Sequence, residues 1–222
     1  MSFFITLLET TDASRRELEA IPKMSAMLAK GLPAPEYHAF LHDLYYIVWH
    51  FCPTMAAAAS RVDDRFRQVR YELYERIQEE RGHYDWVLDD AVAVGADVAR
   101  IRAEPPSPPV QAMVAFNYHC AERDHPCAIL GMLYGLEVIA SAYAATLAQS
   151  IGRAIGKDFE GPGFRFLLSH SAMDADHVAK LNLLVKTIED PEAQASIVNA
   201  TRVNFYQFGR MFLDGGFTTH LR

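Results

Sequence analysis

Three side chains able to bind a metal recur within one short stretch: His170, Asp174 and His177. An α-helix turns about 100° per residue, so positions i, i+4 and i+7 fall within roughly 60° of one another. The surrounding run, residues 167–186, reads as a helix in which Leu167, Met173, Val178 and Leu181 flank that stripe. Two imidazoles and a carboxylate on an inward face need a reason, because burying charge is costly unless it is paired or coordinates a metal. Imidazole with carboxylate suits iron, manganese or zinc better than calcium or magnesium. The plainer reading of the same spacing is a solvated polar face.

Two further places could add to this set. Glu137 is the sole charged side chain of residues 127–152, CAILGMLYGLEVIASAYAATLAQSIG. That run is long enough to cross a membrane, but its scattered Gly, Ser, Thr and Gln and its central Glu favour a buried core helix. An isolated carboxylate there must become neutral or find a cation. The plain alternative is a protonated or arginine-paired structural Glu, while the small residues around Glu137 leave room for a ligand. Glu80 and His83 form E-x-x-H, the spacing by which helical di-iron proteins supply two ligands from one helix. Glu79 reaches the same His at i, i+4. On exposed helices such pairs are common and mean nothing more than solvation.

These residues need helices to hold them. Residues 1–30 read as one or two helices broken at Pro22, and 32–35 as a connector. A long helix follows over 36–62, carrying His38, His42 and His50, with Pro53 expected to kink or interrupt it. Residues 64–94 read as one continuous helix in which Gly82 costs about 1 kcal/mol and suggests close approach of another helix. The proline-rich stretch 95–109 reads as an extended connector, 110–123 as a helix, 156–163 as a glycine-punctuated loop and 191–213 as the last helix. No strand pattern or repeat is present. The expectation is a single all-α domain over 1–222, with an N-terminal helical extension at 1–35 and a tail at 214–222.

A net charge of -7 without any Lys/Arg-rich stripe argues against nucleic acid as a partner. Cys52, Cys120 and Cys127 lack C-x-x-C spacing and suggest a reducing compartment, the cytoplasm. The apolar N-terminal run is too short for a signal peptide, and no membrane partner is expected.

With EERGHYDWVLDD at 79–90, LGMLYGLEVIA at 130–140 and H-x-x-x-D-x-x-H at 170–177, the chain resembles the heme-oxygenase-like di-iron oxidases and oxygenases of the TenA/PqqC-like helical group. The resemblance runs from about residue 36 to 213. It implies a heme-oxygenase-like bundle of about seven helices around a central cavity that holds two non-heme Fe ions. Glu80, His83 and His170 would hold one iron, and Glu137, Asp174 and His177 the other. Three carboxylates against two divalent ions would nearly balance the buried charge.

The implied chemistry is O₂ activation on a small, partly apolar substrate: N-oxygenation, hydroxylation, oxidative decarboxylation or C–C cleavage. A homodimer is expected, and the electron donor is left open. Some members place the first Glu two turns before its His, and here that position is Arg76, which cannot bind metal. Glu80 is therefore assigned, with Glu79 in reserve. Phe116, Tyr118, Met132, Leu133 and Tyr134 are expected as pocket walls.

Rival readings use the same residues otherwise. A ferritin-like bundle would want a Glu on its first long helix, where only Glu36 stands, at the very start. A heme oxygenase would use His38 or His42 as axial ligand. A TenA-type enzyme would need a nucleophilic Cys52 or Cys127 and no metal. A PqqC-type cofactorless oxidase or a small-molecule-binding protein would keep the fold and use the His residues on an organic ligand.

Overall fold

The computed structural model describes residues 2–213, apart from the side chains of residues 173–176. The described residues form ten α-helices and no strand. In chain order these are α1 (Phe3–Glu19), α2 (Pro22–Lys30), α3 (Ala34–Ala59), α4 (Arg67–Glu80), α5 (His83–Ala93), α6 (Val98–Ala103), α7 (Pro108–Arg123), α8 (Ile129–Ile155), α9 (Arg165–Val185) and α10 (Pro191–Arg210).

Several boundaries follow from local chemistry. Pro22 opens α2 at a position where its missing N–H costs nothing. Asp97 and Asp190 accept backbone N–H bonds that start α6 and α10. Asp43, buried on α3, accepts from Ser107 N at 2.7 Å and so fixes the entry to α7. Pro53 does not interrupt α3. The Thr54 hydroxyl donates to the His50 carbonyl at 2.6 Å, next to the turn where proline removes a donor.

Two sequence expectations are corrected. Residues 64–94 are not one helix: α4 ends at Glu80 and α5 starts at His83. Gly82 between them has φ 88°, a left-handed conformation that favours glycine. No other atom stands within 4 Å of the place its Cβ would take, so the glycine serves a turn and not a helix contact. The connector 95–109 contains α6, because Asp97 caps a short run that ends before the prolines.

The long apolar stretch is α8, at the centre of the bundle. The segment Pro126–Ile155 is long and apolar enough to cross a membrane, and 67% of its most apolar window is buried within the protein. It packs against α2, α3, α7, α9 and α10. Gly131 makes the contact with α10 possible, since a Cβ there would lie 2.3 Å from the Ile197 carbonyl oxygen. Across α7 and α10, Asn117 and Asn204 exchange amide hydrogen bonds at 3.0 and 2.9 Å in the interior. Gly131→Ala is expected to cost about 1–3 kcal/mol by forcing α8 from α10. Gly135→Ala, whose added carbon meets nothing nearer than 3.5 Å, should leave stability nearly unchanged. Urea denaturation of the two variants measures the difference.

Candidate metal centre

Glu80, the last residue of α4, and His83, the first of α5, are brought together by the Gly82 turn. His83 Nδ1 lies 2.8 Å from Glu80 Oε2. His170 reaches the same point from α9, with Nε2 3.5 Å from Glu80 Oε2 and 3.3 Å from His83 Nδ1. All three residues are buried.

The imidazoles are held on their outer sides. His170 Nδ1 lies 2.9 Å from the Phe166 carbonyl oxygen. A carbonyl only accepts, so Nδ1 carries a proton and Nε2 is the atom turned to the centre. Phe166 stacks on His170 at 3.9 Å between centroids, and Trp86 on His83 at 3.8 Å. Arg165 in turn covers Trp86, its guanidinium carbon 4.3 Å from the ring centroid.

A tertiary cap sets the register of the two His-bearing helices. Asp90, on α5 seven residues after His83, accepts from Arg165 N at 2.9 Å and Phe166 N at 2.8 Å. One carboxylate thus closes the start of α9. Burial pushes the Asp90 carboxyl up, and the donated N–H bonds only partly oppose this.

The electrostatics favour a cation at the triad. Burial works against ionising Glu80, but hydrogen bonds from His170 and His83 outweigh it and bring its pKa down to about 2. Glu80 is therefore held as a carboxylate, the form that could bind a metal. Metal bonds of about 2.0–2.2 Å to His and Glu place neighbouring donor atoms roughly 3–3.5 Å apart. The observed separations of 2.8, 3.3 and 3.5 Å lie close to that requirement. The three donors converge as one group that could hold a metal. Two His and one carboxylate are the donor set of non-heme Fe(II) oxygenases.

The other expected ligands are placed differently. His177 is buried on α9, with Nε2 3.4 Å from Glu79 Oε2 and Nδ1 4.0 Å from Glu80 Oε1. Asp174 lies outside the described residues. Glu137 points inward from α8, as expected, but its Oε1 forms an ion pair with Arg76 Nη1 at 2.8 Å. Arg76 is only 1% exposed, and it also bonds Glu72 Oε1 at 2.9 Å and donates from Nη2 to the His177 carbonyl at 3.0 Å. Burial opposes its charge, but Glu137 and Glu72 outweigh this and hold the guanidinium protonated. Glu80, His83 and His170 therefore fit one iron. The Glu137 group as arranged here does not fit a second, because a guanidinium already holds its carboxylate. Glu79, the reserve ligand, faces His177 and Lys180 at the protein's edge.

A cavity of about 110 Å³ opens from the triad. Glu80, Glu137 and His170 line it on the polar side. The rest of its wall is almost wholly apolar, with Leu44 and Ile47 of α3, Ala144 and Leu147 of α8, and Met27 of α2 among its members. Along α8 the lining runs from Leu136 to Leu147, about 16 Å at 1.5 Å per residue. The expected walls do not line it: Met132 borders a smaller neighbouring pocket, Tyr118 contacts His50, and Tyr134 packs on Phe4. On α8 the cavity runs mostly beyond Glu137 in the chain, where Ala140 and Ala144 leave space.

Several residues that the rival readings would use are engaged otherwise, while the TenA-like fold is consistent with a metal-free protein of the same architecture. His38 and His42 each use Nε2 on a backbone carbonyl, of Val94 and Glu104, both at 3.0 Å. Burial pushes the Cys52 thiol up to about 11 and Cys127 to about 12, the reverse of an activated nucleophile. Glu36 is paired with Lys23 at 2.7 Å.

Residues 38–205 match the model of a family described as iron-containing redox enzymes. The chain belongs to that family. No curated protein matches it. Among solved structures, this member of the iron-containing redox enzymes resembles a Shewanella denitrificans domain of unknown function with a heme oxygenase-like fold (TM-score 0.85, 18% identity, covering 100% of this chain and 94% of that one). A TenA homologue from Pseudomonas syringae pv. tomato is also similar (TM-score 0.78, 15% identity, 93% and 89%). So is heme oxygenase-1 from Synechocystis in complex with heme (TM-score 0.77, 15% identity, 100% and 96%). At these identities the likeness establishes the fold, a heme-oxygenase-like all-α bundle.

If Asp90 sets the spacing of α5 and α9, Asp90→Ala should lower stability by about 1–2 kcal/mol, as expected for a lost cap. It should also weaken metal binding by roughly tenfold or more, as removal of outer support does. Thermal denaturation and an anaerobic Fe²⁺ titration check the two effects.

Proposed function

We propose that this protein is a non-heme iron oxidase or oxygenase that uses O₂ on an elongated, largely apolar small molecule. One observation carries this reading: two imidazoles and a carboxylate converge in the interior, and Glu80 and His170 of that group border, with Glu137, a cavity whose remaining wall is almost wholly apolar. Membership of the iron-containing redox enzymes supports the metal. Bound iron would supply O₂ activation and electron transfer to or from the substrate.

The chain's own residues do the rest. Glu80 would give an anionic ligand, and His83 and His170 would give ring nitrogens whose planes are fixed by Trp86 and Phe166. The walls from α2, α3 and α8 exclude water and hold an apolar chain with its reactive end toward Glu80 and His170. His177 stands between the partly exposed Glu79 and the buried Glu80, so its ring adds a polar group at the edge of the centre.

His83→Ala and His170→Ala are each expected to lose iron at least a hundredfold while remaining helical. Elemental analysis with far-UV circular dichroism measures this, and iron-replete variants would reject the site. Aerobic O₂ uptake after Fe²⁺ loading separates an enzyme from a metal-free binding protein of the same fold.

Substrate shape has its own test. n-Alkanols of increasing length should raise Tm up to the chain length that fills the cavity, since binding only to the folded state stabilises it. Ala144→Phe should shorten that optimum without changing iron content. An unchanged length dependence in this variant would place the binding elsewhere.

A further inference from the structure

Resting on the iron reading above, we propose that this chain holds a single metal ion, at Glu80, His83 and His170, and that the guanidinium of Arg76 is a fixed second cation that excludes another metal from Glu137. The argument starts from Arg76 itself. It is among the largest fully buried side chains of the protein, and it comes from α4, one turn before Glu80. Its Nη1 stands 2.8 Å from Glu137 Oε1, its Nε 2.9 Å from Glu72 Oε1, and its Nη2 3.0 Å from the His177 carbonyl. Three parts of its fork thus point to three different elements of charge or dipole.

A divalent ion bonded to Glu137 would have to share that carboxylate with Nη1. Arginine does not shed its proton in proteins, so neutralisation cannot relieve the repulsion. Swinging the side chain away would break its bonds to Glu72 and to the backbone of α9 as well. It would also leave a buried cation unpaired, which is strongly unfavourable. The same residue therefore pairs with Glu137 Oε1 and sets a permanent positive charge beside the carboxylate from which a second metal would draw its ligand. The triad is unaffected, because among the described residues the Arg76 side chain pairs with Glu72, Glu79, Glu137 and the His177 carbonyl, and not with Glu80, His83 or His170. A centre of this kind leaves the remaining coordination positions of one ion for O₂ and substrate, on the side of the cavity that Glu80 and His170 line.

The test is metal stoichiometry, read without any activity assay. The full-length protein is loaded anaerobically with Fe²⁺, freed of loose metal by gel filtration and analysed for iron per chain. In parallel, Mn²⁺-loaded protein is examined by electron paramagnetic resonance for spin coupling. Wild type should hold one ion with an uncoupled Mn²⁺ spectrum, and Arg76→Lys should do the same. Arg76→Glu, which replaces the cation by a further carboxylate, should take up a second ion and show a coupled spectrum. Two ions in wild type would overturn the proposal and leave the iron reading standing. So would a folded Arg76→Glu variant that still binds one. Wild type that binds no metal would overturn the iron reading itself. Should Arg76→Glu fail to fold, the wild-type stoichiometry decides alone.

Discussion

The interior of this bundle carries charges that water would ordinarily solvate, and much of the local structure follows from how they are compensated. Glu80 and Glu137 are both nearly inaccessible, and each is held from another helix. Glu137 on α8 meets Arg76 on α4. Glu80 on α4 meets imidazoles from α5 and α9. The two solutions differ in kind. An arginine is permanently charged and closes its site. An imidazole can offer either a proton or a lone pair, and two of them leave a place that a cation can share with Glu80. Burial alone would push both carboxylates toward neutrality, and the structure opposes it with one fixed cation and one adaptable group.

The adaptable group depends on a chain break. In a continuous helix, Glu80 and His83 would lie on one face and both point along it. The left-handed turn at Gly82 instead places Glu80 at the end of one axis and His83 at the start of another, so their donor atoms approach to 2.8 Å. From His83 the same helix runs on to Asp90, whose carboxylate closes α9. His170 lies just inside that closed end, its Nδ1 bonded to Phe166, a residue whose own N–H is given to Asp90. Position thus passes from one imidazole to the other through a hydrogen-bonded path of few steps. That path is why the distances within the triad are short although its members come from three helices.

Much of this was legible in the residues. Periodicity located α3, α7, α8, α9 and α10 to within a few positions, and the lone Glu in an apolar run correctly implied a buried carboxylate needing a cation. The identity of that cation was less accessible. Arg76 reads as one more charge on a polar helix, and only packing shows it nearly inaccessible. The alternative of an arginine-paired Glu137 was open on the sequence, but nothing in the spacing selected a partner sixty-odd residues away. Gly82 was visible as an unfavourable helix residue, though propensity cannot say whether a glycine weakens a helix or ends it. Asp90 had a readable signal, since it lies seven residues after His83 on the same helical face. The cap it makes is tertiary, and local capping rules look only along the chain. Asp174 lies outside the described residues.

The cavity was sought on the wrong side of Glu137, and the reason lies in how α8 divides its labour. Large side chains near a carboxylate suggest walls, so Met132, Leu133 and Tyr134 drew attention. A cavity, however, is made by what is missing. Gly131 and Gly135 remove side chains on the face where α10 approaches, and the backbone itself fills that space. Ala140 and Ala144 each lie nine residues further on, about 180° around the helix. There the neighbours include long side chains of α2, α3 and α9 with Phe208 of α10, which do not close completely over a methyl group. Ala144 also lies seven residues from Glu137, within about 20° of the same stripe. The same substitution of small for large thus yields tight packing on one face and an apolar channel on the other, and the channel starts where the buried charge stands. That common origin ties the proposed chemistry to the fold: a molecule held along the alanine face would have its near end against Glu80 and His170.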